Sequence, residues 1–185
     1  MGVISVNING IETVIKNVKG VKEEVEKILK REFTTFGIKT VTSAKRKAPV
    51  DEGALRNSIA FKLEGLQVEI TVGVNYAAYL EFGTKKFAAA YVSTLPLEWQ
   101  AFAAQFKGKG GGSFEEFVMR LVRWVQIKGL SSKVGKQSKK TTAEADAYAI
   151  ALYIIRNGIK PHPYFVPAIE ENKIILVANL KKALL

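Results

Sequence analysis

The chain of 185 residues has no cysteine, a single histidine and five prolines. Without cysteine these residues can form no disulfide, no thiolate metal site and no cysteine nucleophile. His162, flanked by Pro161 and Pro163, has no second histidine to complete a zinc site and no evident partner to orient it in a catalytic triad. We therefore expect no metal, no cofactor and no histidine-based catalysis.

The sequence also lacks a long apolar run. No stretch reaches the ~20 apolar residues that cross a membrane as a helix. The opening MGVISVNING has neither the basic region nor the apolar region of a secretory signal. We expect a soluble chain that is present in the cytosol and has no membrane partner.

Negative charge is scarce relative to positive charge. The chain has 28 Lys and Arg against 17 Asp and Glu, a formal net charge of +11. This excess favours association with phosphates or acidic surfaces. It is concentrated in residues 16–47 and 107–140. The basic loop 130–140 can be a solvated tether, or it can contact DNA phosphates in a salt-sensitive way. The candidate DNA-contacting residues are Lys133, Lys136, Lys139 and Lys140.

Hydrophobic periodicity predicts an α+β fold. A short strand is expected in VISVNI, and a helical stripe runs from Val21 to Pro49, loosened at Gly37. The period then changes to two, with apolar residues alternating over 59–63 and 66–74 around a turn at Glu64-Gly65. This pattern predicts an antiparallel hairpin whose apolar face is covered by the long helix.

Residues 85–157 have a different character, and we predict that they form a helical insertion. Capping boxes, Ser113 with Glu116 and Thr141 with Glu144, predict helices ending at Lys128 and Asn157. Flexible segments are expected at 85–94, 107–113 and 129–141, the last containing the basic loop. Residues 1–84 and 158–185 then form the core domain, with Pro167 in the first turn of a C-terminal helix.

Few side chains suggest chemistry. The segment KGKGGGS lacks the spacing of a phosphate-binding loop. Asp51, Glu52 and Glu81 could act as acid and base, but a turn cap and an ion pair of Glu81 with Arg56 are the simpler interpretation. The aromatic residues could stack on nucleotide bases or pack in the core; they are Tyr76, Tyr79, Phe82 and Phe87. No residue set supports a specific reaction, so we predict a non-enzymatic protein.

Three sequence blocks, in this order, are AKRKAPVDEGALRNSI at 44–59, YAAYLEFGT at 76–84 and GIKPHPYFVPAIEE at 158–171. Together they resemble the tail-completion or neck proteins, minor tail components of long-tailed bacteriophages. Matching residues in the first block are Ala44, Lys45, Pro49, Val50, Asp51, Gly53, Leu55, Ser58 and Ile59. Those in the later blocks are Tyr76, Tyr79, Glu81, Phe82, Gly83, Thr84, Pro163 and Phe165. Glu52 departs from the usual Thr, and Tyr164 interrupts the usual Pro-Phe pair.

The resemblance implies a structural virion protein with an α+β fold, made in the host cytoplasm and added during assembly. It implies a homo-oligomeric ring, sixfold or twelvefold, at the head–tail junction around the DNA channel. Its partners would be other neck, head-completion and tail-terminator proteins, and possible double-stranded DNA in the channel. Two alternatives stay open: a tail terminator ring, and a basic DNA-binding module.

Within this interpretation the first block is a structural corner between helix and hairpin. Pro49 stops the helix because the residue before proline is disfavoured in helical conformation. Asp51 is expected to cap the turn and Gly53 to permit it. Leu55 and Ile59 are expected to anchor the corner in the core, with Ser58 between them in the motif.

Overall fold

The computed structural model describes residues 4–8, 22–50, 52–108, 113–129 and 143–184. The chain divides into two compact units. We call Met1–Phe82 with Pro161–Leu185 the core unit, and Gly83–Lys160 the insertion unit.

The core unit contains a three-stranded sheet and two long helices. Its strands are β1 (Ile4–Ile8), β2 (Ile59–Glu64) and β3 (Gln67–Val72). Both long helices are amphipathic: α1 spans Lys22–Lys47 and α8 spans Phe165–Leu184. The described part of the unit also contains two short helices, α2 (Ala54–Ser58) and α3 (Ala77–Phe82). The predicted α+β class is therefore confirmed, with the long helix, small antiparallel sheet and C-terminal helix that the periodicity indicated.

The strand order is β1-β3-β2, and both outer strands run antiparallel to β3. The hairpin register pairs Ile59 with Val72 and Glu64 with Gln67, which leaves Gly65 and Leu66 as the two-residue turn. The turn thus lies one residue later than predicted, since Gly65 supplies the positive φ of 60° that the connection needs. β1 pairs along the other side of β3, from Ile4 with Val72 to Ile8 with Val68.

Helix α1 covers the sheet and also contacts α8. Its buried side chains include Leu29 and Phe33, and the sheet contributes Val68, Ile70 and Val72. The predicted loosening at Gly37 is wrong, because α1 is continuous through this residue. Gly37 instead permits close packing: a Cβ atom there would lie 2.3 Å from Cδ2 of Phe61 on β2. The sequence signal for a weak helix position therefore marked a close approach of helix and strand.

The insertion unit is helical. It contains α4 (Lys85–Val92), α5 (Leu97–Ala104), α6 (Phe114–Lys128) and α7 (Ala143–Asn157). Residues 85–94 were predicted as a flexible segment, and most of them form α4, where an Ala-rich sequence of high helix propensity makes two turns. The predicted cap of α6 is confirmed, because Ser113 Oγ accepts the N–H of Glu116 at 3.2 Å. Thr141, the other predicted cap, lies outside the described residues.

Helices α6 and α7 pack against each other, and the rings of Phe114 and Tyr148 meet edge to face between them, with centroids 5.5 Å apart. Val125, Ala147 and Ala151 are fully buried there, and Trp99 is buried on α5. None of the helices in the described part of the chain is both long and apolar enough to cross a membrane. Within the same residues, no three His, Asp or Glu side chains come together as a possible metal site.

Candidate functional site

Glu81 forms a buried joint between the second and third sequence blocks. It lies in the last turn of α3, and its side chain is completely buried. Its Oε2 accepts the backbone N–H groups of Tyr164 and Phe165, each at 2.8 Å, and its Oε1 accepts that of Val166 at 3.1 Å. The first N–H groups of a helix have no partner within the helix and carry a partial positive charge. Glu81 therefore caps α8 from a position 83 residues earlier in the chain.

A second contact supports this joint. The N–H of His162 donates to the carbonyl oxygen of Leu80 at 2.6 Å, so the chain leading into α8 follows the end of α3. Tyr164 is fully buried, and its hydroxyl finds no hydrogen-bond partner among the described residues. Burial raises the pKa of the Tyr164 phenol, and the nearby Glu81 and Tyr76 raise it further. The joint is thus closely packed and shielded from water.

Burial also controls the protonation of Glu81. Loss of hydration raises the pKa of this carboxyl above its ordinary value, although the three backbone N–H groups and His162 act in the opposite direction. Such a raised pKa at a buried carboxyl is found in general acids. Here, however, the carboxylate accepts three N–H groups at the start of α8. The arrangement therefore suits a structural cap.

The predicted ion pair of Glu81 with Arg56 is not formed. Arg56 instead donates from Nε and Nη2 to the carbonyl oxygen of Ala48, at 3.2 and 3.1 Å. Carbonyl groups at the end of a helix lack intrahelical partners and attract cations. Arg56 therefore belongs to the corner, where it binds the residue next to Pro49. The sequence signal for this contact is a cation eight residues after Ala48, close to the end of α1, and the predicted acceptor was the wrong one.

The corner itself is built around Gly53 and a short helix that the sequence did not predict. Gly53 has φ 83°, in the left-handed region that glycine adopts without strain, and its carbonyl accepts the N–H of Asn57 at 2.9 Å. Leu55 and Ile59 are buried. Ser58 Oγ donates to the carbonyl of Leu55 at 2.8 Å, while the Ser58 carbonyl accepts the N–H of Gly73 at 3.2 Å. Asp51 lies outside the described residues, so its capping role stays a prediction.

Thr84, the last residue of the second block, ties together the two ends of the insertion unit. Its N–H donates to the carbonyl of Ile159 at 2.9 Å, and its Oγ1 accepts the Ile159 N–H at 2.7 Å. Gly158 has φ 89°, and a Cβ atom there would lie 2.5 Å from the Thr84 carbonyl oxygen. Thr84 and Gly158 therefore form a second close joint, in which both the conformation and the space require glycine.

The remaining predicted residues have different environments. Phe82 is buried in the core unit, Tyr79 is half-buried, and Tyr76 is 44% exposed. In the insertion unit, the ring of Phe87 lies below the ammonium groups of Lys86 and Lys160, at 5.3 and 5.9 Å from its centroid. The proposed DNA-contacting residues fall outside the described part of the chain; they are Lys133, Lys136, Lys139 and Lys140.

These contacts are a helix cap, a chain corner and two close joints. Their effect is to hold the elements of the fold in place, so the site is structural. The family model described as "Bacteriophage HK97-gp10, putative tail-component" matches residues 12–83. This match contains the first block and the second block up to Gly83, and a resemblance to a phage tail-component family is confirmed for that part of the chain. No curated protein and no solved structure matches the chain.

Proposed function

We propose that this chain is a structural protein of a tailed bacteriophage that forms a sixfold or twelvefold ring at the head–tail junction, around the DNA channel. The match of residues 12–83 to a phage tail-component family is the observation that carries this proposal. The roles of two motif residues agree with it, because Glu81 holds the start of a helix and Gly53 forms the corner, to which the neighbouring Arg56 also binds. A ring subunit needs such rigid joints, because errors in geometry accumulate around the ring.

In this proposal the protein has no catalytic step. The mechanism is positional: Glu81 fixes the start of α8, and the corner fixes the angle between α1 and the hairpin. Its neighbours would be other neck, head-completion and tail-terminator proteins of the same virion. The net charge of +11 would favour DNA in the enclosed channel, since contact with phosphates is an electrostatic interaction.

Electron microscopy of particles made after deletion of this gene from its parent phage tests the proposal. We expect filled heads lying apart from finished tails of normal length, and restoration of joined particles by the wild-type gene supplied in trans. Joined and intact particles after the deletion would contradict a role at the junction.

The same micrographs distinguish the tail terminator alternative. A terminator caps the growing tail tube, so its loss would let tubes extend beyond their normal length. Separate tails of normal length therefore support the neck position, whereas overlong tails support the terminator position. The DNA-binding alternative predicts neither separated nor overlong tails, and the salt dependence of DNA affinity tests it.

A further inference from the structure

The three-stranded sheet has an outer strand on each side of β3, and each outer strand has a second edge. β1 has five residues and β2 has six, and the pairing of both with β3 is unbroken by a bulge. Neither strand contains proline. Proteins that remain monomeric usually protect such regular edges with proline, bulges, charged side chains or covering segments, because an unpaired edge accepts another strand. Of these devices β2 has one exposed lysine, Lys62.

The register shows which backbone groups of β2 are directed away from β3. The Gly73 N–H donates to the Ser58 carbonyl, so these two residues form a hydrogen-bonded pair. Hydrogen-bonded and non-bonded pairs alternate along an antiparallel ladder. Ala60 with Thr71 and Lys62 with Glu69 are therefore bonded pairs as well. The N–H and carbonyl groups of Phe61 and Leu63 consequently point outward, and no hydrogen bond from them to another described residue is found.

The same alternation identifies the outer edge of β1. The backbone groups of Glu69 and Thr71 bond to β2. Those of the alternate residues Val68 and Ile70 therefore bond to β1, where their register partners are Ile8 and Val6. The backbone groups of Ser5 and Asn7 then point away from β3. The sheet thus presents two regular edges, each with two outward-facing residues, on its opposite sides.

We propose that the β1 edge of one copy of this chain pairs with the β2 edge of a second copy, so that the sheets of neighbouring subunits join. β1 and β2 are both antiparallel to β3 and hence parallel to each other, so the junction would be a parallel strand pair. This inference rests on the proposed ring, for which it supplies the contact.

A second copy in this orientation is favoured over other pairings because it occupies both edges. A twofold pairing of β2 with β2 would leave both β1 edges open, and pairing of β1 with β1 would leave both β2 edges open. Pairing of β1 with β2 is head-to-tail, and head-to-tail contacts close into rings when the rotation permits. The geometry that satisfies the backbone of both strands is therefore also the geometry that builds a ring.

Proline at an outward-facing position tests each edge separately. Leu63→Pro removes an N–H that β3 does not use, and Leu63→Ala is its control because it removes the same side chain but retains the N–H. Asn7→Pro and Asn7→Ala form the matching pair on β1. We expect the alanine variants to assemble as the wild type does, and each proline variant to raise the subunit dissociation constant at least ~tenfold, leaving mainly monomer by native mass spectrometry.

Mixing the two proline variants gives the decisive measurement. The Leu63→Pro chain retains its β1 edge and the Asn7→Pro chain retains its β2 edge, so an equal mixture should form dimers and stop there. A twofold β2 contact predicts that Asn7→Pro alone still assembles, and that result would overturn the proposal. A wild-type ring that survives both proline substitutions would also overturn it, and would point to a different surface.

Cysteine pairs provide a readout that does not depend on proline tolerance. The chain has no natural cysteine, so Asn7→Cys/Lys62→Cys and Ser5→Cys/Lys62→Cys each introduce only the chosen pair. Within one chain β1 and β2 are separated by β3, about 9–10 Å, which exceeds the Cα separation that a disulfide spans. We expect oxidation of at least one double variant to give a ladder of linked multimers, and of each single variant no species beyond dimer.

The results separate this inference from the proposed function. Absence of linked multimers in both double variants, or a wild-type chain that stays monomeric at the concentrations tested, overturns the strand pairing between copies. Neither result affects the gene-deletion experiment, which can still show separated heads and tails. Conversely, joined particles after the deletion would reject the junction role even if the purified chain assembles through its strand edges.

Discussion

The core unit and the insertion unit differ in how deeply their side chains are buried. In the core unit, aromatic and branched residues such as Tyr164, Phe33 and Phe165 are fully buried. The insertion unit contributes Trp99, one valine and two alanines to the buried apolar residues of the described chain, while Leu97 is 80% and Met119 is 64% exposed. Buried apolar area is the main source of folding free energy, so the core unit should supply most of the stability.

This difference also separates the roles of the two units. The core unit contains the Glu81 joint and the corner, where buried polar groups meet specific acceptors. The insertion unit has the α6–α7 pair, whose buried contacts involve small side chains. Local opening is easiest where few apolar groups are buried. Substitutions in the core unit should therefore have a larger effect on global unfolding than matched substitutions in the insertion unit.

Replacement of Glu81 by alanine should have the largest effect. It would leave three buried N–H groups at the start of α8 without an acceptor, at a cost of about 3 kcal/mol or more, or roughly 6–12 °C in Tm. The matched control is Glu144→Ala, which removes an exposed carboxylate from the first turn of α7 in the insertion unit and should cost under ~1 kcal/mol. Urea unfolding of both variants measures the difference, and equal losses would contradict the assigned role of Glu81.

The pH dependence of stability gives a second test of this joint. The unfolded chain should release the Glu81 proton near the ordinary carboxyl pKa of 4.5, whereas the folded protein retains it to higher pH because burial raises the pKa. The folded state then binds more protons in this window, so the free energy of unfolding should fall as pH rises above 4.5. The wild type should lose this stability relative to Glu81→Gln between pH 4 and pH 8.

A control carboxylate should show the opposite sign. The hydrogen bond from Lys47 lowers the pKa of Glu171, so its contribution is present at neutral pH and is lost as pH falls through the lowered value. Because Glu171 is exposed, solvent screening keeps this contribution small. If the free energies of unfolding of the wild type and Glu81→Gln change in parallel from pH 4 to pH 8, folding does not raise the pKa of Glu81.

Gly37 provides the next test of close packing in the core unit. Alanine has the higher helix propensity, yet its Cβ would overlap the Phe61 ring, so Gly37→Ala should destabilise by about 1–3 kcal/mol. In a Phe61→Ala background the same change should be neutral or stabilising, since the overlap is gone. In the insertion unit, the Cβ of Gly129→Ala would meet no neighbouring atom. This change should destabilise by about 1 kcal/mol, because only the left-handed backbone conformation is unfavourable for alanine. Thermal unfolding of the double-mutant cycle measures the coupling.

Some elements of the fold could be predicted from the sequence, and others could not. Periodicity predicted α1 and the hairpin. Alternating apolar residues over 59–63 and 66–74 all lie on one face of a strand, which indicates strands with one buried face. It could not show that Glu81 reaches residues 164–166, because a cap acting across 83 residues leaves no local pattern. It misjudged Gly37 for the same reason: Phe61, the residue that requires glycine there, lies on another element.

The corner illustrates a partial success. The proline, the glycine and the apolar anchors were identified from their local signals. Arg56 was assigned to Glu81 because a buried carboxylate usually needs a cation, whereas the structure satisfies it with helix N–H groups. Backbone groups are present at every residue and carry no sequence signal, so a backbone partner for a buried carboxylate cannot be identified from the sequence.

Substitution in the corner should have a moderate effect. Gly53→Val places a β-branched residue at φ 83° and should cost about 2 kcal/mol, whereas Gly53→Asn should cost less because asparagine tolerates this region. Asp51→Ala should cost about 1 kcal/mol if Asp51 caps the turn. Differential scanning calorimetry gives all three values. An unchanged Tm for both Gly53→Val and Asp51→Ala would show that these corner residues do not contribute to stability.

The basic loop should affect folding least and DNA affinity most. Changing Lys133, Lys136, Lys139 and Lys140 to alanine should shift the free energy of unfolding by less than ~0.5 kcal/mol. It should weaken binding to double-stranded DNA and reduce the slope of log affinity against log salt by about 3 to 4, the value for four lost phosphate contacts. The control removes four exposed lysines of the core unit: Lys27, Lys39, Lys181 and Lys182. An equal loss of DNA affinity in both variants would mean that net charge alone attracts DNA. A loss confined to the loop variant would assign the DNA contact to the insertion unit, which would then bind DNA through residues that contribute little to stability.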